Sequence, residues 1–250
     1  MTSIILVHGI TESRHSWDEL LEALSIDLAS GRRRTVLAVD LRGHGSATRT
    51  PPFDLVAMAT DVLAELETEE IAPRDAVIVG HSLGGSVVTA MASVTEFRAV
   101  VNVDQPLRLA DFQAGLRQLE PMLRGSRQDF ETAIAMVFDA MRGPLSDEQY
   151  ERLASIRRPD QTVVLGVWDP ILTLPSGDLD AMVASMTRTI ASPYLSLHGI
   201  DPGPDYASWL AAHITGAAME VWPDHGHYPH LVDPRRFADR INAFIDSTRS

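Results

Sequence analysis

The chain has 250 residues, enough for one large α/β domain with its own core. Its formal net charge of −13 repels phosphate backbones and anionic lipid, which argues against a nucleic acid or a membrane surface as partner. With no cysteine, disulfides, thiolate metal sites and a cysteine nucleophile are excluded.

The first residues, Met1 to Val7, have neither a basic leader nor an apolar stretch ending in small residues, so they do not read as a signal peptide. No apolar run approaches the ~20 residues of a membrane span. The expectation is a soluble, cytoplasmic protein. The basic run Arg32-Arg33-Arg34 is short and reads as a solvated turn.

Short runs rich in Val, Ile and Leu recur along the chain, at residues 3–8, 35–40, 75–80, 99–104, 192–198 and 217–222. They show little polar alternation, the pattern of strands buried on both faces of a parallel sheet. Helical spacing fills the gaps. Trp17, Leu20, Leu21, Leu24 and Leu28 share a face, as do Leu55, Met58, Val62, Leu63 and Leu66. Phe237, Ile241, Phe244 and Ile245 do the same after Pro234, a good first-turn residue. This alternation predicts an α/β fold, a mostly parallel sheet flanked by helices.

The rhythm breaks between Gln105 and Ala191, which reads mainly as helix, with Thr162–Val167 open between helix and strand. The expected organisation is a core of residues 1–104 and 192–250 with a helical cap, 105–191, inserted in it.

The most informative motif is Gly80-His81-Ser82-Leu83-Gly84-Gly85. The apolar stretch Ala76–Val79 runs into it and a helix with Val87, Val88, Met91 and Val94 leaves it. That is the strand–turn–helix setting of a nucleophile elbow, where small neighbours let a sharp turn lift a serine above the sheet edge. The helix N-terminus there favours developing negative charge. A phosphate loop would want a Lys after the glycines, and none follows.

With His8-Gly9, Trp17, the turn Asp40-Leu41-Arg42-Gly43-His44-Gly45-Ser46 and the stretch from Gly226-His227 to Pro234, the sequence resembles the α/β-hydrolase superfamily over nearly its whole length. The first strand starts at about residue 3, where the family usually has an earlier strand or two, so the sheet should be trimmed to about six strands. The resemblance implies a serine hydrolase with Ser82 as nucleophile, His227 as general base, and the backbone N–H groups of Ile10 and Leu83 as the oxyanion hole. A serine nucleophile departs from the epoxide-hydrolase and haloalkane-dehalogenase branches, which use a carboxylate.

The family's chain order puts the acid between Ser82 and His227. Asp201 is the expected acid, in a Gly- and Pro-rich loop after His198-Gly199, with Asp104 as the alternative after 99–103. Asp169, Asp178 and Asp224 read as caps or turn formers. Asp40 and His44 read as a structural turn, His81 as packing or pocket floor, and His225 and His230 as structural neighbours of His227. No metal and no cofactor is expected.

Phe112, Met122, Phe130, Met136, Phe138, Met141, Trp168 and Met182 are candidates for a cap face or cap core. Their composition points to a small, largely apolar acyl compound: an ester, lactone, thioester or C–C bond substrate. The same residues also suit a lyase, an acyl transferase, a cofactor-free oxygenase or a small-molecule sensor with a slow triad.

Overall fold

The computed structural model describes residues 2–28 and 34–248. Arg32 and Arg33 of the basic run fall outside the described residues; Arg34 pairs with Asn242 and Asp246.

Six parallel strands form one sheet. In chain order they are β1 (Ser3–Val7), β2 (Thr35–Val39), β3 (Ala76–His81), β4 (Ala99–Val103), β5 (Tyr194–His198) and β6 (Ala218–Val221). Their spatial order is β2-β1-β3-β4-β5-β6. In register, Val7 lies beside Gly80, Gly80 beside Asn102, and Val103 beside Leu197. The ends of β1, β3, β4 and β5 therefore sit together at the carboxyl edge, where open α/β sheets place their sites.

Each central strand buries both faces. Ile4 and Leu6 join Trp17, Leu20, Phe237 and Ile241 in one core. This core is covered by α1 (Asp18–Leu28) and α11 (Pro234–Ser247), which pack on each other. Ile5 and Val7 join the opposite core, under α2 (Leu55–Thr68) and α3 (Leu83–Val94). The two-sided burial explains the absence of polar alternation in the strand sequences.

Five helices lie between β4 and β5: α4 (Ala110–Leu123), α5 (Arg127–Ala140), α6 (Asp147–Ile156), α7 (Gln161–Thr173) and α8 (Ser176–Thr187). Sequence cues place their starts. Ser126 and Ser146 form reciprocal capping boxes with Asp129 and Gln149, and Asp160 caps α7. Thr162–Val167 is thus helical, within α7. α4 packs on α5 and α7, whereas α8 packs on α3 and so adds to the helical layer beside the sheet. The remaining helices are α9 (Tyr206–His213), between β5 and β6, and the short α10 (Pro229–Val232) after the His227 turn.

Candidate active site

Ser82 follows β3 and takes the N-cap position of α3 with φ 52° and ψ −120°, a backbone conformation that costs energy for a residue with a side chain. Its N–H donates to the Val103 carbonyl at 3.0 Å, and its carbonyl accepts from Gly85 N–H at 2.7 Å. The glycines are demanded by space: a Cβ on Gly84 would collide with the Val7 carbonyl oxygen, and one on Gly80 with the Gly84 carbonyl. α3 can approach β1 and β3 this closely only without those side chains.

His227 is brought to the site by backbone contact. The loop after β5 and the loop after β6 touch at Gly199 and the Gly226 carbonyl, an approach that leaves no room for a Cβ on Gly199. Asp104 follows β4 with φ 49°. Its Oδ2 accepts a hydrogen bond from His227 Nδ1 at 2.6 Å. Its Oδ1 accepts from the N–H groups of Gly199 at 2.8 Å and Ile200 at 3.0 Å.

This arrangement corrects the expectation for the acid. Asp104, not Asp201, holds the histidine. The loop after β5 gives the backbone donors of Gly199 and Ile200 to Asp104, and the next residue, Asp201, is turned outward, accepting from Gly203 N–H at 2.9 Å. Asp201 is exposed on the cavity rim.

Burial pushes the Asp104 carboxyl up, but the His227 hydrogen bond and charge and the Ile200 N–H outweigh it, so it lies below the ordinary aspartate value. His227 lies below an ordinary histidine because burial disfavours its charged form; the Asp104 bond opposes this and the charge of His81 adds to it.

Ser82, His227 and Asp104 line one cavity of about 430 Å³, together with Ile10 and Leu83. Its walls are mostly apolar, from Phe112 of α4, Val137 and Phe138 of α5, and Val167, Trp168 and Ile171 of α7, with Arg108, Asp111 and Asp201 as charged members of the lining. Met141 also lines it. Of the other residues expected on that face, Phe130 is buried in the core, Met122 packs against the core, and Met136 and Met182 are exposed.

His81 is not in the cavity wall but behind His227. Its Nε2–H donates to the His227 carbonyl at 2.8 Å, and its ring lies 4.7 Å from that of His227 and 4.5 Å from that of His230. His230 is fully buried between Trp17 and His81, while His225 bonds the Pro223 carbonyl and lies against Trp222. The three histidines of this segment thus face different surroundings. Among the described residues no three metal-ligating side chains converge.

Asp40 accepts from Arg14 and from Ser46; burial alone would raise its carboxyl, and these bonds hold it at about 2. His44 bonds the Arg42 carbonyl and His8 Nε2 accepts from Leu41 N–H, a polar latch between the ends of β1 and β2. Asp169 pairs with Arg124, Asp178 lies in the first turn of α8, and Asp224 takes a positive φ in a turn.

Sequence reasoning missed Glu12 and Arg157, two charged side chains buried beside the histidine cluster. The only signal for Glu12 was its place three residues after the His8-Gly9 pair.

Residues 4–240 match a family model described as the alpha/beta hydrolase family. The chain is 28% identical to a pimeloyl-[acyl-carrier protein] methyl ester esterase of Neisseria meningitidis, over 97% of this chain and 93% of that protein. Among solved structures it resembles an esterase from Exiguobacterium antarcticum, with a TM-score of 0.75 at 13% identity, covering 98% of this chain and 92% of the other. A hydrolase from Pseudomonas aeruginosa has a TM-score of 0.73 at 22% identity, over 98% and 89%.

Proposed function

The chain belongs to the alpha/beta hydrolase family, and we propose that within it this protein is a serine esterase for a small, largely apolar acyl compound. The observation that carries the reading is the His227–Asp104 hydrogen bond of 2.6 Å at the wall of the cavity that also exposes Ser82. With Nδ1 donating to Asp104, the neutral ring keeps Nε2 unprotonated and free to act as a base.

In this reading His227 Nε2 takes the Ser82 proton as the serine oxygen attacks the substrate carbonyl. Asp104 fixes the tautomer and stabilises the imidazolium that forms. The N–H groups of Leu83, at the start of α3, and Ile10 receive the oxyanion. The imidazolium then gives its proton to the departing alcohol. A water deprotonated by His227 attacks the acyl-enzyme, and Ser82 leaves with the returned proton.

The apolar walls formed by Phe112, Phe138 and Trp168 suit a hydrocarbon acyl or alcohol portion held under α4, α5 and α7. The esterase named for the Neisseria relative supports ester cleavage. A cytoplasmic setting belongs to the same reading; the absence of cysteine fits a reducing compartment.

The test is a fluorophosphonate probe followed by peptide mapping, alongside turnover of p-nitrophenyl butyrate. Labelling at Ser82, and turnover lost in Ser82→Ala, is the expected result. Labelling elsewhere, or turnover that survives in the folded variant, overturns it.

A further inference from the structure

Beneath His227 lies a carboxylate that the proposed reaction does not use. Glu12 follows β1 and is 2% exposed, a rare state for a charged side chain. Its Oε2 accepts from Gly9 N–H at 3.3 Å, and its own N–H donates to the Gly9 carbonyl at 3.3 Å. These two bonds close the turn that carries Ile10. The same Oε2 faces His81 Nδ1 at 3.8 Å. The other nitrogen of that ring, Nε2, holds the His227 carbonyl at 2.8 Å. His81 thus stands between a carboxylate and the peptide of the base.

The surroundings fit a Glu12 that keeps its charge. Burial pushes its carboxyl up, and the facing His81, with Arg157 and His8, brings it down to about 2. Arg157, itself buried, arrives from the α6–α7 connection, donates to Tyr228 Oη at 2.7 Å and lies 3.9 Å over the Phe138 ring. Next to it, Arg158 N–H donates to the Thr11 carbonyl at 2.8 Å. The Ile10 turn, the His227 loop and the helices over the cavity therefore meet around one buried carboxylate.

We infer that Glu12 is a positioning residue, acting through His81 to hold the His227 loop in register with the Ile10 turn. A buried carboxylate is costly unless its geometry is used, and here it is bonded to the Gly9 turn and faces, without a hydrogen bond, the ring that holds the His227 peptide from the opposite end of the chain. Aligning base and oxyanion donors is a requirement of the transition state rather than of ground-state binding, so kcat should carry the effect.

The inference rests on the reading of His227 as base, and the experiment separates the two. Glu12→Gln keeps the shape and an acceptor for Gly9 while removing the charge. It should lower kcat for p-nitrophenyl butyrate roughly tenfold with KM within about twofold. His81→Asn, whose amide cannot reach the His227 carbonyl, should lose a similar amount. His81→Gln places a donor near the Nε2 position but offers Glu12 no ring nitrogen, so its kcat should fall between those of His81→Asn and wild type. The Glu12→Gln, His81→Asn double variant should be no slower than His81→Asn alone, because Glu12 acts through that ring.

Additive losses in the double variant, or equal losses in His81→Asn and His81→Gln, overturn the inference, as does a folded Glu12→Gln with wild-type kcat. If Glu12→Gln does not fold, Glu12→Asp, which keeps the charge but withdraws it from His81, takes its place, and additive losses with His81→Asn overturn the inference. Wild-type enzyme that neither turns over the ester nor labels at Ser82 would instead overturn the esterase reading.

Discussion

Asp104 and His227 are joined by a 2.6 Å hydrogen bond although 123 residues separate them in the chain. Asp104 stands at the end of β4, next in the sheet to the strand that delivers Ser82. Its other oxygen is tied to the backbone of the loop after β5, so the carboxylate is fixed on both sides.

The first prediction separates the two candidate acids. Asp104→Asn should cost ~10³- to 10⁴-fold in kcat, since an amide no longer fixes the tautomer or stabilises the imidazolium. Asp201→Asn should stay within about threefold, because its acceptor role toward Gly203 survives in the amide oxygen. Ester turnover of the two purified variants checks this, and the opposite ranking would sink the assignment.

The elbow stores strain that a second variant should release. Ser82 holds φ 52° and ψ −120°, a conformation open to glycine at little cost. Ser82→Gly should therefore be inactive yet more stable than Ser82→Ala, by about 1 kcal/mol. Urea unfolding of the two variants measures the difference, and equal midpoints would argue against strain at this position.

Packing at the elbow leaves no tolerance on the glycine side. Gly84→Val would drive a branched side chain into the carbonyl oxygens of Val7 and His8. The expected cost is at least ~3 kcal/mol, from overpacking of a site with backbone on its far side. A wild-type melting temperature in this variant would contradict the close approach of α3 to β1.

The pH dependence follows from burial of neutral histidines. His227 is lowered by burial, so activity should fall with acid through a midpoint below ~6.5, the ordinary value. Stability has its own sign. His44 and His198 are held at about 4, chiefly by burial, so folding favours their neutral forms. Their contribution is complete above ~6.5 and is lost as pH falls from there toward 4. Glu12 and Asp40, at about 2, begin to cost stability only below their ordinary range near pH 4. Melting temperature should therefore decline from pH 7 to pH 5, before those carboxylates titrate. A flat profile over that window would contradict the buried neutral histidines.

The chain by itself determined most of what depends on local pattern, with Thr162–Val167 left open until the structure placed it in a helix. The central strands β1, β3, β4 and β5, buried on both faces, lack polar alternation and could be read from apolar runs; the edge strands β2 and β6 are more exposed but also largely apolar in sequence. The serine turn was legible because its steric demands leave a record in residue type, with glycine at 80, 84 and 85. His227 was legible from its stretch of motif. Only the tertiary structure decided which carboxylate reaches it. Asp104 and Asp201 each follow a strand at the same edge, and both lie in loops. What distinguishes them is the direction of a carboxylate set by a positive φ at Asp104, and two backbone N–H groups of the loop after β5 that bind it. Neither leaves a trace in residue type, since any backbone can donate. Glu12 was hidden for a related reason. Its charge is offset by His81 and Arg157, which are supplied by two other parts of the chain and meet it only once the sheet and the helices above it have assembled.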